Sequence, residues 1–353
     1  MPYIVKYSLK RIALMLVSTF IILTLTFFLI KMLPDPPMTG TAQNQYAFCM
    51  DQVSKGYYIF FNQPQEGYGN MIFSFTSSSG GATTTVYFYR RPILEQYGAW
   101  LTNIFTKWEW GSSTSIEEGS DAIYIIASRL QPTVLINIFA LIVSLPLGFL
   151  FGIIAALKKN KMTDNIISTI VMVFISVPSF VVILLLMLWL AFGAHVLPPS
   201  WPSAKDAPVS EYALAMVIPV LSLSFGTIAT FTRYTRAELC EVMSSDFLLL
   251  AKTKGLSKTQ CITRHALRNS LVPIVPMVIG QFIGILSGSV VLEQLYNIQG
   301  IGRLFVESIS RQDYNVLLVD MAIFTLISLG AGLLVDLSYG IVDPRIRMGA
   351  KAS

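Results

Sequence analysis

Six long stretches of this chain carry almost no charge, and that constrains its fold more than any other feature. They are 12–30, 130–157, 165–194, 212–232, 271–292 and 316–342. Each reaches the roughly 20 apolar residues that a helix needs to cross the hydrocarbon core of a bilayer. A backbone in lipid must satisfy its own hydrogen bonds, so such stretches are expected to be helices. Charged residues make up only 13% of the chain, about half the share of an ordinary soluble domain. The reading is an all-α polytopic membrane protein with six transmembrane helices. The first stretch is a retained span rather than a cleaved leader. Its 19 uncharged residues exceed a typical signal core of about 7–15, and Lys31-Met32-Leu33-Pro34 follows where a small-residue cleavage site would stand. Asp320 and Asp336 interrupt the sixth stretch; lying near its ends, they are placed at headgroup level.

Lysine and arginine orient the chain. The N-terminal tail holds Lys6, Lys10 and Arg11, the 158–164 turn holds Lys158, Lys159 and Lys161, and the 233–270 segment holds seven basic residues. The tail beyond Val342 adds Arg345, Arg347 and Lys351. The alternate loops are poorer in basic residues, so both termini are expected in the cytoplasm. The net charge of +5 follows this topology and gives no reason to expect nucleic acid. Cys49 then lies outside, and Cys240 and Cys261 lie in the reducing interior, so no disulfide is expected.

Residues 33–129 are too many for a simple connector. Aromatic and β-branched runs at 57–61, 71–75 and 84–89 are separated by turn-forming residues. They predict a small antiparallel sheet in an extracytoplasmic insert. The insert either packs on the outer helix ends or meets a delivery protein.

The longest polar segment on the predicted cytoplasmic side, 240–270, reads as two short helices. Ser245 or Asp246 can cap the first, which carries Phe247, Leu248, Leu249, Leu250 and Ala251 and ends at Gly255. Ser257 and Gln260 form a capping box for the second. Five basic residues accompany them: Lys252, Lys254, Lys258, Arg264 and Arg268. Two readings stand: an amphipathic loop on the bilayer surface, or an apolar peg covered by a partner protein. Gly280, Gly284 and Gly288 share one helix face and predict close helix packing there. The chain has no Gly-x-x-x-x-Gly-Lys-Ser/Thr phosphate loop, no Gly-x-Ser-x-Gly elbow and no His/Cys cluster at metal-ligand spacing. Serines within the spans are expected to bond backbone carbonyls. No catalytic, cofactor or metal residue is assigned.

A series of short motifs in order along the chain carries a resemblance. They are Leu33-Pro34-Asp35-Pro36, Gly111-Ser112-Ser113, Arg129-Leu130-Gln131-Pro132-Thr133, Leu147-Gly148 through Lys158, and Ser176-Val177-Pro178-Ser179-Phe180. Leu197-Pro198-Pro199-Ser200, Gly288 through Glu293, Gly300-Ile301-Gly302-Arg303, Arg311-Gln312-Asp313-Tyr314 and Asp343-Pro344-Arg345-Ile346-Arg347 complete it. In these the chain resembles the permease subunits of peptide-importing ABC transporters, the dipeptide/oligopeptide/nickel group, and their B-type member in particular. The resemblance implies a type I ABC importer permease fold over 129–342, preceded by the tail and first span (1–33) and the insert (34–128), and followed by a tail (343–353). It implies a bacterial cytoplasmic membrane and a heterodimer with a second permease. Two ATPase subunits would hold ATP and magnesium, and an extracytoplasmic peptide-binding protein would deliver cargo. The family's cytoplasmic docking helix carries Glu-Ala-Ala-x-x-x-Gly. Here Leu249-Leu250-Ala251-Lys252-Thr253-Lys254-Gly255 occupies that frame, with the glutamate and first alanine replaced. Asp246 through Ala251, with Lys254, Gly255 and Leu256, are thus the expected ATPase-coupling residues. An ion-driven secondary transporter and a membrane-anchored receptor working through the insert are the rival readings.

Overall fold

The structure, a computed structural model, describes residues 3–33, 40–65, 68–69, 71–79, 82–203, 207–284 and 289–342. Gly288, the Pro34-Asp35-Pro36 motif and the Asp343–Arg347 motif lie outside the described residues.

Among the described residues, four helices are long and apolar enough to cross a membrane: α1 (Tyr3–Lys31), α4 (Ala122–Leu157), α7 (Val209–Met243) and α14 (Tyr314–Val342). Helix α4 begins eight residues before the predicted span and runs through Pro132 and Pro146. The third predicted span is broken. Helix α5 (Met162–Ser176) and helix α6 (Ser179–Leu186), the latter continued by a π-helical stretch Met187–Gly193, meet at 97°. The break falls at Val177, which is extended, the conformation that the ring of Pro178 favours in the residue before it. Counting this pair as one span brings the number to five. The fifth predicted span holds two shorter helices, α11 (Ile274–Gly284) and α12 (Val290–Leu295). Helix α13 (Ile301–Ser310) follows.

The chain separates into two compact units. One comprises Met1–Thr19, Ala127–Val306 and Ile323–Ser353; the other comprises Phe20–Ile126 and Glu307–Ala322. The first unit is all-helical. Its largest core gathers Ile136, Ala140, Ile183, Ile218, Leu292 and Tyr296 from α4, α6, α7 and α12. Hydroxyls within the helices donate to carbonyls, as expected: Ser222 to Ser179 O at 2.6 Å and Ser224 to Val220 O at 2.7 Å. The closest helix approach is at Gly148 and Gly152 of α4. A Cβ there would lie 2.7 Å from that of Phe231 and 2.5 Å from that of Thr235. A Cβ at Gly280 would meet Val335 at an ordinary 3.4 Å. Gly148 and Gly152 of α4 thus share a face with small-x-x-x-small spacing against α7. Asp164 at the start of α5 is buried, and Arg236 of α7 grips it with two hydrogen bonds of 2.6 and 2.8 Å. The two aspartates of α14 part company. Asp336 pairs with Arg11 at 2.9 Å, whereas Asp320 is fully buried in protein.

The second unit contains a three-stranded antiparallel sheet in the order β1 (Tyr58–Phe61), β3 (Ala82–Arg90), β2 (Met71–Ser79). Phe88 is fully buried, stacked on Phe73 and edge-on to Tyr46. The insert is not only β. Helices α2 (Ala42–Ser54) and α3 (Ile93–Lys107) flank the sheet.

Candidate functional site

The short helix foreseen in the polar segment is present as α8 (Asp246–Thr253). Its C-terminus closes as a Schellman motif. Gly255 takes φ +84°, its N–H donates to Lys252 O, and the Leu256 N–H reaches back to Ala251 O. Only glycine adopts that backbone without strain, so the sequence punctuates the helix where it should. At the other end Ser245 occupies the cap position, but its hydroxyl donates back to Val242 O instead of accepting from the new helix. The next helix (α9, Lys258–Gln260) begins with the foreseen capping box. Ser257 accepts from Gln260 N–H, and the Gln260 side chain accepts from Ser257 N–H. A π-helical stretch Cys261–Ala266 leads on to α10 (Leu267–Ser270).

The coupling residues divide into two sets. Leu248 and Ala251 are buried, seated with Ala156, Leu239, Cys261 and Ala266 against the ends of α4 and α7. Ala251 thus belongs to the seat and not to the outward surface. Phe247, Leu249 and Leu250 point outward, with Leu249 60% and Leu250 56% exposed. Asp246, Lys252, Lys254 and Lys258 surround them, all exposed. Burying the exposed part of each large apolar side chain is worth about 1–2 kcal/mol. The result is an exposed apolar knob with basic neighbours on a buried seat. Helix α7 supplies part of that seat because it continues to Met243, eleven residues beyond the predicted span.

Five of the motifs meet at two buried carboxylates that sequence reading treats separately. Glu293 accepts from the Thr133 hydroxyl at 2.9 Å and from Arg303 N–H at 2.9 Å, while Thr133 also accepts from Ile301 N–H. Motifs 129–133, 288–293 and 300–303 are in this way one latch among α4, α12 and α13. A Cβ on Gly300 would collide with both Glu293 and Thr133. In the other unit, Asp313 Oδ2 accepts from the Ser113 hydroxyl at 2.5 Å and from the N–H groups of Thr114, Ser115 and Ile116, each at 3.1 Å. Asn315 donates to Ser112 O at 2.8 Å. Motifs 111–113 and 311–314 are therefore a single clasp. The Leu197–Ser200 motif meets Tyr296, whose hydroxyl donates to Pro198 O.

A family model described as the binding-protein-dependent transport system inner membrane component matches residues 148–348. The dipeptide transport system permease protein of Lactococcus lactis subsp. cremoris is 33% identical over 345 residues, 98% of this chain and 100% of that one. The corresponding protein of Bacillus subtilis is 30% identical over 348 residues, 98% of this chain and 99% of that one. A crystal structure of an amino acid ABC transporter with histidines overlays with a TM-score of 0.46 at 18% identity, covering 62% of this chain and 94% of that one. The chain is a multi-pass membrane protein and belongs to the family of binding-protein-dependent transport system inner membrane components.

Proposed function

We propose that this chain is a non-catalytic permease subunit of an ATP-driven importer of dipeptides or oligopeptides, with a type I importer fold. A second permease completes the pathway, two ATPase subunits bind the cytoplasmic face, and a binding protein delivers peptide to the opposite face. ATP and magnesium belong to the ATPase subunits. Both termini lie in the cytoplasm, and the sheet-containing insert lies outside. The observation that carries this reading is the division of α8 into a buried seat and an exposed apolar knob. It supports entry of force from separate ATPases, closing and opening the pathway by rocking α4 and α7. The named relatives support peptide as the cargo.

Leu249→Asp/Leu250→Asp tests the docking. Both side chains are exposed, so the bundle should fold unchanged. The expected result is loss of ATPase co-purification and at least a tenfold drop in peptide uptake. Full uptake with the ATPases still bound would sink the assignment. Ala251→Asp does not test it, since it breaks the seat. Asp320, buried inside α14, is the observation that favours an ion-driven transporter. Proton-driven peptide uptake by this chain alone in vesicles would establish that rival.

A further inference from the structure

Helix α3 is built inside out for a water-soluble layer. It packs on protein through Gln96, Trp100, Asn103 and Ile104, and keeps Glu95, Thr102 and Thr106 exposed on a polar flank. The Gln96 side chain donates to Arg91 O at 2.7 Å and the Asn103 side chain to Lys55 O at 2.9 Å. Leu94, Gly98, Leu101, Phe105 and Trp108 recur at alternating spacings of four and three, which makes one stripe along the helix. That stripe is left open: Leu94 is 75%, Phe105 77% and Trp108 68% exposed. An open apolar face of this kind needs a covering partner.

Contacts with α1 indicate what covers it. The Tyr97 hydroxyl bonds that of Thr24 at 2.7 Å. The ring of Trp100 lies 5.0 Å from that of Phe27, and Tyr97 lies 5.2 Å from Phe28. Thr24 and Phe27 are inside the apolar run that ends at Lys31. At 1.5 Å per residue they lie about 6–10 Å below Lys31 along the helix. Helix α3 therefore crosses α1 within its apolar run, short of Lys31, the charged residue that ends it. Leu25 and Leu29, in the same segment of α1 that α3 crosses, are exposed as well. Trp108 at the end of α3, with Trp110 beside it in edge-on contact, places indoles where membrane-interface aromatics concentrate.

We infer that α3 lies in the membrane interface at the C-terminal end of α1, with Leu94, Leu101, Phe105 and Trp108 set into lipid acyl chains. The insert is then fastened to the bilayer by an in-plane helix and is not a freely projecting domain. An amphipathic helix of this kind sits about 5–10 Å into the headgroup and acyl boundary, which matches its crossing level on α1.

The test is site-specific photo-crosslinking in the full chain, assembled with its partner subunits in phosphatidylcholine vesicles. Benzoylphenylalanine replaces Leu94 or Phe105 on the open stripe, and Glu95 or Thr106 on the polar flank. Phosphatidylcholine adducts, read by mass spectrometry, are expected at 94 and 105 at least fivefold above those at 95 and 106. A spin label on Phe105→Cys should likewise be more accessible to oxygen than to a water-soluble nickel chelate. Covalent capture of another polypeptide at 94 and 105, equal lipid yield on both faces, or no lipid adduct would each overturn the inference. None of these outcomes depends on whether α8 engages an ATPase.

Discussion

Three residue-level arrangements do work that their letters alone do not announce. The Asp164 carboxylate is buried, and Arg236, about a third exposed, is its cationic partner. Asn160 N–H also donates to it, at 2.8 Å. Arg236→Ala leaves a buried charge without its counter-ion. Allowing for solvent at the arginine, the loss is about 2–3 kcal/mol, measurable as a lowered midpoint of unfolding in detergent. Arg236→Lys should recover only part of it, since an ammonium cannot form the two-pronged contact. Gly152→Ala would set two carbons 2.5 Å apart against Thr235. The expected cost is about 1–3 kcal/mol in the same assay, whereas Gly280→Ala should be near neutral. Cys49 makes a third case, because burial pushes its thiol up to about 12. The thiolate is the reactive species, so alkylation of Cys49 in the folded protein should stay slow from pH 7 to 9 and become fast on unfolding. Rapid labelling of native protein at pH 8 would contradict the burial.

At the scale of elements, local signals were legible and non-local ones were not. The ends of α8 and the capping box of α9 depend on residues three or four apart, so Gly255, Ser257 and Gln260 mark them directly. Which face of α8 is seated depends on Leu239 and Ala266 in the neighbouring elements and on the distant Ala156 of α4, and no local pattern separates Leu248 from Leu249. The break in the third predicted span was written in Val177-Pro178, but prolines are tolerated inside α4 and α7, so the residue type alone does not decide. Helix α3 had a signal in its four-and-three stripe, hidden because aromatic-rich sequence there also suits strands. The Schellman closure itself makes a prediction. Gly255→Ala meets no steric neighbour, so its cost is the positive φ alone, about 1 kcal/mol. Amide exchange across 249–256 should quicken about fivefold, and Gly255→Asn should fall between, since asparagine enters that conformation more easily.

For the whole molecule, the order of the chain and the order in space differ plainly at Asp313. The segment Glu307–Ala322 belongs with Phe20–Ile126, across some 200 intervening residues. Bringing such distant segments together costs about 5 kcal/mol of loop-closure entropy, so the contact must be strong to persist. A carboxylate oxygen receiving one hydroxyl and three backbone N–H groups is an anion in a nest of donors. This explains why Gly111-Ser112-Ser113 and Arg311-Gln312-Asp313-Tyr314, each weak as a motif, belong to one device. Asp313→Ala would strand the donors at Ser113, Thr114 and Ser115, each worth up to about 1–3 kcal/mol when unmet, though not additively, while Ile116 N–H keeps the Ser113 hydroxyl as acceptor. The loop that carries them also carries Glu117 and Glu118, which a glutamate-specific protease can cut once the loop opens. Each 1.4 kcal/mol lost raises the open population tenfold. Cleavage after these glutamates should therefore accelerate at least tenfold in Asp313→Ala and less in Asp313→Asn, which keeps a carbonyl acceptor. Unchanged cleavage in Asp313→Ala would mean that the loop is held by the rest of its unit and that the 200-residue closure is secured elsewhere.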